Sequence, residues 1–499
     1  MTVKSEGLRL IRNISMIDRV KTKTVITMGP ACATPDVFSQ LVDTGVAVVR
    51  LNFSHGDLRQ REQFLAVARG GSHPTPLAIM GDLCGPKIRL GEVINDGIVI
   101  TPGEEITIGR RPIPGQNHLL TSNYPGLVDD VQLGQSILID DGCIRTTVIE
   151  KVTDMIRCRV VTGGRIQSHK GINLPHTRLS IPSVTENDWR DIDWAIEHQL
   201  DYLALSFVRC AEDVQSVRRY LESKKSDIDL VAKIEMPQAL ADLSAILDSS
   251  DAVLVARGDL GVETELTSVP LQQKNIVNAA HAAGKPVIVA TQMLQSMLNS
   301  PTPTRAEVSD VANAILDGAD AVMLSGETAV GQYPLEAVQT LRDIADKTER
   351  YIVQKGLHAE PPHLLQISHH RTAALAHGAM AIAGDIEARL VVVWSQAGGA
   401  ARFLSKNRFP IPIVALSTDP AAVRRMALYY SVTPIQAQIP RHFDDLPAMV
   451  DDLLQRWNWA QPGDRIVIAA GAPLGIAGAT NSLSVYTIGE PGRISRERQ

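Results

Sequence analysis

Residues 251–292, DAVLVARGDLGVETELTSVPLQQKNIVNAAHAAGKPVIVATQ, contain the repeating unit that decides the fold. A β-rich run (AVLVARGD) is followed by a helical stretch at 269–283 and then by a second β-rich run (PVIVATQ). Strands that alternate with helices in this way are typical of parallel sheets, because the helix returns the chain to the start of the next strand.

The same alternation continues outward on both sides, over residues 21–87 and 180–352. It gives eight predicted strands: KTKTVITMG, VAVVRLNF, PLAIMGDL, YLALSF, LVAKIE, AVLVARGD, PVIVATQ and ADAVMLSGE. Eight parallel strands are the number that closes a (β/α)₈ (TIM) barrel. An open doubly wound sheet is the competing topology, and the unbroken succession of eight units favours closure.

The remaining segments predict two further domains. Residues 88–179 hold closely spaced β-like runs with Gly, Pro and Asn-Asp-Gly turns, which indicates an all-β insert. Residues 353–370 include a Pro-Pro pair and are predicted to be a linker, and 371–499 form a smaller α/β domain. Residues 1–20 form an N-terminal segment. A chain of 499 residues is long enough for three domains.

Composition excludes several classes of protein. Hydrophobic residues make up 44% and charged residues 21%, which is an ordinary globular composition. A net charge of −6 provides no general attraction to nucleic acid or to an anionic membrane. No apolar run reaches the ~18 residues of a membrane span, and no secretory signal is visible, so we expect a cytoplasmic protein. The five cysteines include no CxxC pair, which argues against a disulfide framework and a cysteine zinc site.

Polar residues follow most of the predicted barrel strands, where the catalytic groups of such barrels lie. They are Arg50, Asn52, Ser54, His55, Asp82, Ser206, Lys233, Glu235, Arg257, Asp259, Thr291, Ser325 and Glu327. Any one of them is more often a helix cap or a turn former than a catalytic group. Their convergence at seven strand ends predicts a site.

The chemistry of these residue types points to phosphate. Glu235 and Asp259 offer the sparse carboxylate set that Mg²⁺ uses in proteins. Lys233 lies two residues before Glu235 on one strand, so both side chains face the same side, and its ammonium suits a phosphoryl group. Arg50 and Arg89 add guanidinium groups for oxyanions. No P-loop or GxGxxG follows a strand, so a nucleotide is bound in another way.

Several motifs resemble those of the pyruvate kinase family. They include RLNFSHGD (50–57), GDLCGPKIRLG (81–91), KGINLP (170–175), AKIEMPQAL (232–240), ARGDLGVE (256–263), ATQMLQSM (290–297) and SGETAVGQYP (325–334). The resemblance runs from about Lys21 to the end of the chain. It implies a (β/α)₈ barrel, a small β-barrel lid domain at 88–179 and a C-terminal α/β regulatory domain. It also implies phosphoryl transfer from phosphoenolpyruvate to ADP, with Mg²⁺ or Mn²⁺, in a homotetramer.

The resemblance further implies roles for individual residues. Arg50 binds substrate and phosphoryl oxygens, Lys233 stabilises the phosphoryl group, and Glu235 and Asp259 hold Mg²⁺. The carboxylate of phosphoenolpyruvate is held by Thr291 and by the backbone N–H groups of Gly258 and Asp259. The remaining implied site residues are the nucleotide contacts Asn52, His55, Arg89 and Lys170, and Ser325 in the relay that protonates the enolate.

Two departures from the family pattern lead to expectations about ions and effectors. Most of the family binds K⁺ at the positions that are Asn52, Ser54, Asp82 and the carbonyl of Leu83 here, aided by a glutamate. Lys87 stands in place of that glutamate and Leu83 in place of a threonine, so we expect activity without K⁺. The effector loop WSQAGGAAR (394–402) keeps few hydroxyls. A sugar phosphate or nucleotide remains a candidate effector, with weak or absent activation by fructose 1,6-bisphosphate.

Two alternatives stay open from the sequence. One is a Mg²⁺-dependent, enolate-forming carbon–carbon lyase of the citrate-lyase or aldolase barrel type, against which Lys233, Arg89 and Lys170 argue. The other is a regulator that has kept the fold and lost turnover, against which the intact metal and phosphoryl residues argue.

Overall fold

The computed structural model describes residues 20–71, 75–94, 97–111, 114–116, 118–175, 177–357, 361–362, 365, 367 and 370–490. The predicted N-terminal segment therefore lies outside the described residues except for Val20, and so do parts of the predicted linker and the last nine residues.

The strands are numbered in chain order. They are β1 (Lys23–Thr27), β2 (Val46–Asn52), β3 (Ala78–Asp82), β4 (Ile98–Ile100), β5 (Glu105–Gly109), β6 (Leu119–Thr121), β7 (Ser136–Ile139), β8 (Ile144–Val152), β9 (Met155–Thr162), β10 (Gly164–Ile166), β11 (Ile172–Asn173), β12 (Tyr202–Leu205), β13 (Asp229–Ile234), β14 (Ala252–Ala256), β15 (Val287–Ala290), β16 (Ala321–Leu324), β17 (Leu390–Trp394), β18 (Ile413–Ser417), β19 (Val432–Gln436), β20 (Arg465–Gly471) and β21 (Thr480–Thr487).

Eight parallel strands close into a barrel in the order β1-β16-β15-β14-β13-β12-β3-β2. The predicted (β/α)₈ fold is therefore confirmed. The strands are short and almost wholly buried, and their residues alternate between two layers. Val25, Val48 and Met80 belong to the inner cluster, whereas Ile26 and Val49 pack in the outer cluster with the surrounding helices.

The helices of the barrel begin at good capping residues. Thr185 and Thr304 each form a capping box with the acidic residue three positions later, which satisfies backbone N–H groups of the first turn. The helices are Pro35–Asp43, Leu58–Arg69, Glu186–Glu197, Ala211–Ser223, Pro237–Ala241, Leu243–Ser249, Arg257–Glu263, Val269–Ala282, Arg305–Asp317, Gly326–Ala329 and Pro334–Lys355.

One predicted helix is divided in two. The sequence pattern predicts a single helix over 237–248, but the chain breaks at Asp242, which adopts φ −107° and ψ 20°. The Asp242 carboxylate accepts a hydrogen bond of 2.8 Å from the backbone N–H of Ala211. The side chain thus caps the neighbouring helix Ala211–Ser223 instead of continuing its own.

The insert between β3 and β12 is all-β, with one short helix, Leu127–Asp130. Six of its strands form a sheet in the order β11-β7-β8-β9-β5-β6, and β4 and β10 form a separate pair. Within the described residues, β11 and β6 at the two edges do not pair with each other. Residues 88–91 connect these two edges instead: the Leu90 N–H donates to the Lys170 carbonyl beside β11, and the Gly91 N–H donates to the Thr121 carbonyl of β6, each at 2.8 Å. The sheet thus closes on itself, as the small β-barrel that the resemblance implies requires. We call this insert the lid.

The C-terminal domain is a five-stranded sheet in the order β19-β18-β17-β20-β21, with β21 antiparallel. Its helices are Arg371–Asp385, Gly399–Lys406, Pro420–Arg425 and Leu446–Arg456. The sequence predicts four strands in this domain, ARLVVVWS, PIVALS, DRIVIAA and LSVYTIG, and misses β19, whose Pro434 normally argues against a strand. Its position at the sheet edge tolerates the missing N–H.

The C-terminal domain packs against the N-terminal ends of the barrel strands. The hydroxyl of Tyr202 donates to the Arg425 carbonyl at 2.6 Å, and Arg424 pairs with Asp201 at 2.7 Å. The opposite end of the barrel, below the lid, is left for the site. Among the described residues, no helix combines the length and apolar character needed to cross a membrane.

Candidate active site

Four charged side chains meet at the C-terminal ends of β2, β3 and β13. Arg50 Nε donates to Asp82 Oδ2 at 2.6 Å. The Lys233 ammonium lies 3.2 Å from Asp82 Oδ1 and 2.9 Å from Glu235 Oε1. Asp82 and Glu235 are each only 1% exposed. Two cations and two carboxylates therefore form a neutral, buried group, which we call the charge cluster.

The environment keeps Lys233 protonated. Burial alone would lower the pKa of its ammonium, but the carboxylates of Asp82 and Glu235 outweigh burial and raise it above its usual value. For the same reason the pKa of Asp82 is lowered despite its burial, by Lys233 and Arg50. Within the neutral cluster, Lys233 thus remains a charged ammonium at the barrel mouth.

Ser206, at the end of β12, connects Lys233 to the start of the lid. Its hydroxyl accepts a hydrogen bond of 2.7 Å from Lys233 Nζ and donates one of 2.7 Å to the Leu83 carbonyl. The sequence marks Ser206 as a polar strand end but assigns it no role. Its partners become known only when β12 and β13 are placed side by side.

Glu235 and Asp259 suit a divalent cation. Glu235 Oε1 is buried and accepts no hydrogen bond from any described residue, although Lys233 pairs with it electrostatically. Burial and the nearby Asp259 carboxylate together raise the pKa of Glu235 to about 7, although Lys233 lowers it. A cation bound between the two carboxylates would offset this local excess of negative charge.

The number of ligands also suits Mg²⁺. No group of three or more potential ligands occurs in the part of the chain that the structure describes. Mg²⁺ commonly takes one or two carboxylates and completes its shell with waters and substrate oxygens, so the pair Glu235 and Asp259 is sufficient.

The loop after β15 is held in a strained conformation. Thr291 adopts φ +70° and Gln292 φ +53°, which is unusual for a β-branched residue and is typical of functional sites. Thr291 Oγ1 accepts a hydrogen bond of 2.8 Å from the Gly258 N–H. Arg257 supports the loop by donating to the Thr291 carbonyl at 2.7 Å, and Asp310 pairs with Arg257 at 2.7 Å.

Ser325 and Glu327 follow β16. The buried Glu327 carboxylate accepts from the backbone N–H of Ser325 at 2.8 Å and from that of Leu294 at 3.1 Å. Glu327 therefore ties two loops together, whereas Ser325 is half-buried at the barrel mouth.

A group of cations lies on the lid side of Arg50. Asn52 Nδ2 is 2.9 Å from His55 Nδ1, and Asn52 Oδ1 accepts from the Ser54 N–H at 3.1 Å. Burial lowers the pKa of His55, and the charges of Lys87, Arg50 and Arg89 lower it further. His55 is therefore neutral at pH 7 within a positive field suited to polyphosphate.

The structure does not bring Lys170 to the charge cluster. Its ammonium pairs with Asp140 Oδ1 at 2.9 Å within the lid, and this carboxylate raises the pKa of Lys170. Arg89 Nη1 likewise donates to the His169 carbonyl at 3.0 Å. Both residues belong to the lid surface above the barrel.

Comparison with known protein families gives two matches in chain order. The pyruvate kinase barrel domain matches residues 19–338, and the pyruvate kinase alpha/beta domain matches residues 373–486. Neither match favours the carbon–carbon lyase alternative.

Named relatives and solved structures agree. The chain is 39% identical to pyruvate kinase of Geobacillus stearothermophilus over 94% of this chain and 81% of that protein. It is 38% identical to the enzyme of Corynebacterium glutamicum over 95% and 99%, respectively. The crystal structure of a pyruvate kinase from Cryptosporidium parvum superposes with a TM-score of 0.86 at 32% identity, covering 95% of this chain and 97% of that one. The protein belongs to the pyruvate kinase family of phosphotransferases.

Proposed function

We propose that the charge cluster is the centre at which the phosphoryl group of phosphoenolpyruvate passes to ADP, giving pyruvate and ATP. The bond from phosphorus to the enol oxygen breaks, and a bond from phosphorus to a terminal oxygen of ADP forms. The enolate left behind takes up one proton at carbon. The observation that carries this proposal is the buried, permanently charged Lys233 ammonium, because the transferring group is anionic throughout.

The substrate lies on the barrel in this proposal. Arg50 and Lys233 bind the oxygens of the phosphoryl group, and Arg50 is oriented by its bond to Asp82. Thr291 and the backbone N–H groups of Gly258 and Asp259 bind the carboxylate, which replaces Thr291 Oγ1 as the acceptor of the Gly258 N–H. The start of the helix Arg257–Glu263 supports this assignment, since N–H groups at a helix start attract anions.

Glu235 and Asp259 are the residues that would hold Mg²⁺, or Mn²⁺ in its place. The bound ion would neutralise negative charge on the substrate oxygens. The buried Glu235 Oε1, which Lys233 meets only as an ion pair, and the raised pKa of Glu235 support this role.

ADP occupies the space between barrel and lid. The cations Arg89 and Lys170 face its phosphates from the lid, and Asn52 and His55 face them from the barrel. Besides burial, the charges of Lys87, Arg50 and Arg89 lower the pKa of His55, which supports a positive environment there. Ser325, half-buried at the mouth, belongs to the relay that delivers the proton to the enolate.

No K⁺ is required in this proposal. Asp82 Oδ2 already accepts from Arg50 at 2.6 Å, and Asn52 Oδ1 already accepts from the Ser54 N–H. The Leu83 carbonyl accepts from Ser206. Lys87 supplies a tethered positive charge on the same side of the site, as its effect on His55 indicates.

A coupled assay tests the function. The protein is incubated with phosphoenolpyruvate, ADP and Mg²⁺ in tetramethylammonium buffer, and pyruvate and ATP are measured separately. Equal amounts of the two products are expected. Pyruvate without ATP, or no turnover at any Mg²⁺ concentration, would contradict the proposal.

A further inference from the structure

A buried carboxylate connects the barrel to the lid. Glu263 is the last residue of the helix Arg257–Glu263 and is 3% exposed. Its Oε1 accepts a hydrogen bond of 2.8 Å from Asn173 Nδ2. Asn173 ends β11, which pairs with β7 in the lid sheet. The bond therefore joins a barrel helix to the lid sheet through two side chains.

The second oxygen of Glu263 is unusual. Oε2 is buried and has no hydrogen-bond partner among the described residues. Glu263 lines a cavity of about 50 Å³ between barrel and lid, together with Lys87, Asp141, Arg209 and Asp259. Burying a carboxyl group with half of its hydrogen-bonding capacity unused costs stability, so its presence at this boundary calls for a functional reason.

The helix that carries Glu263 also carries site residues. Gly258 and Asp259 lie in its first turn, and Glu263 ends it. A helix of seven residues is about 10 Å long. The contact with Asn173 therefore lies a full helix length from the residues that bind phosphoenolpyruvate.

Other hydrogen bonds hold the segment that connects the lid to the barrel, not the lid sheet. Arg209 donates to the carbonyls of Leu179 and Ile181 at 3.0 Å each. Both carbonyls lie in the segment that returns to the barrel after β11. They attach the returning segment to the barrel, whereas the bond from Asn173 to Glu263 attaches the lid sheet itself.

We propose that Glu263 is a positioning residue whose hydrogen bond to Asn173 holds the lid over the barrel mouth in the arrangement that binds ADP. This proposal rests on the proposed function, in which ADP lies between barrel and lid and phosphoenolpyruvate lies on the barrel. Loss of the bond is therefore expected to weaken the use of ADP and to spare phosphoenolpyruvate.

The pair permits a reciprocal exchange of donor and acceptor. Asn173→Ala removes the donor. The double variant N173D/E263Q keeps both side-chain volumes and restores one hydrogen bond in the opposite direction, from the Gln amide to the Asp carboxylate. Asn187→Ala, at an exposed position on the helix Glu186–Glu197, is the matched control.

Steady-state kinetics of the full-length protein distinguish the outcomes. In Asn173→Ala the KM for ADP is expected to rise about fivefold, the scale of one lost hydrogen bond, while the KM for phosphoenolpyruvate stays within about twofold. N173D/E263Q is expected to recover most of the loss. An unchanged KM for ADP in Asn173→Ala, an equal rise for both substrates, or a double variant as impaired as the single one would overturn the proposal.

Hydrogen exchange separates failure of this proposal from failure of the proposed function. It is measured without substrates on the amides of residues 172–174, one of which bonds to the Ile88 carbonyl at 2.9 Å. Faster exchange in Asn173→Ala, with recovery in N173D/E263Q, supports the lid contact even in a protein without kinase activity. Unchanged exchange in Asn173→Ala overturns it.

Discussion

At the scale of single residues, the site depends on charges that hold one another. Lys233 is surrounded by Asp82 and Glu235, and Asp82 is shared with Arg50. Removing one member of such a buried set leaves its partner as an uncompensated buried charge. The resulting loss of folding free energy is larger than the net stabilisation that the ion pair provides. The residues of the charge cluster therefore act together, and single substitutions within it are expected to have effects that do not add.

Asp259 lies outside the cluster and offers a cleaner test of the metal site. Asp259→Asn keeps the volume of the side chain and removes the charge. Turnover at low millimolar Mg²⁺ is expected to fall by on the order of 100-fold, the scale of losing one preorganised electrostatic contact. Asp248→Asn, at an exposed position on the helix Leu243–Ser249, is the control. Turnover like that of the wild type in Asp259→Asn would remove Asp259 from the metal site.

Lys87 determines the expected response to K⁺. The wild type is expected to be almost fully active in tetramethylammonium buffer. In Lys87→Glu the tethered charge is lost, so activity is expected to fall and to be partly restored by added K⁺, because Leu83 still lacks the threonine hydroxyl.

The measurement is turnover against K⁺ concentration at constant ionic strength, with Lys347→Glu at an exposed position of the helix Pro334–Lys355 as the control. Strong, saturable activation of the wild type by K⁺ would show that Lys87 does not replace the ion.

The sequence identifies residues better than it identifies their partners. The spacing of Lys233 and Glu235 correctly places both side chains on one side at the end of β13, and the structure shows them in contact. Ser206 and Glu263, by contrast, gain their roles from neighbours far away in the chain. No local pattern distinguishes them from an ordinary strand-end serine or helical glutamate.

At the scale of elements, the short helix Arg257–Glu263 and the strained loop after β15 form one unit. Gly258 and Thr291 are joined directly, and Arg257 reaches from the helix to the Thr291 carbonyl. The sequence predicts a helix start near Gly258 but not the positive φ of Thr291, since threonine rarely adopts it. Tertiary contacts impose this conformation against local preference.

Strand periodicity predicts the barrel well and the C-terminal sheet less completely. The barrel strands are uninterrupted runs of β-branched and small residues, a clear signal for strands buried on both faces. Strand β19, with Pro434 in its middle, gives no such signal. Its formation depends on pairing with β18, from Ile413↔Val432 to Ser417↔Gln436.

The loop after β17 leads to a prediction about regulation. It borders a cavity of about 310 Å³ that is also lined by Arg402, Asp229 and Asp251. The hydroxyl of Ser395 is already engaged by the Ala401 N–H at 3.1 Å, and the two aspartates oppose a doubly charged phosphate. Fructose 1,6-bisphosphate is therefore expected to shift half-saturation by phosphoenolpyruvate less than about twofold, well under the usual range of allosteric coupling.

Saturation curves with and without the sugar phosphate provide the measurement, with sulfate at equal ionic strength as the control. A large leftward shift caused only by the sugar phosphate would show that backbone N–H groups and Arg402 are sufficient to bind it.

At the scale of the whole molecule, the chain places its two other domains at opposite ends of the barrel. The lid covers the C-terminal ends of the strands, and the C-terminal domain contacts the N-terminal ends through Tyr202, Asp201 and Lys23. Strand β13 begins at Asp229, in the effector-loop cavity, and leads to Lys233 in the charge cluster. The chain length and the alternation of strands and helices predict three domains. How the domains pack depends on side chains that are distant in sequence.

The assembly predicted from the family is a homotetramer. Light scattering of the full-length protein at micromolar concentration is expected to give about four times the mass of one chain, since closed symmetric assemblies of this kind are common among enzymes. A monomer at that concentration would contradict the expectation without affecting the chemistry of the charge cluster.

The measurement that tests the central claim most directly is the turnover of Lys233→Met with saturating phosphoenolpyruvate, ADP and Mg²⁺, beside Lys347→Met as the matched surface control. If Lys233 stabilises the transferring phosphoryl group, kcat falls by about 100- to 1000-fold, as when one preorganised contact to a transition state is lost. Binding of phosphoenolpyruvate remains measurable because Arg50 and Thr291 are unchanged. A kcat within about threefold of the wild type would mean that Lys233 is structural, and would contradict the account.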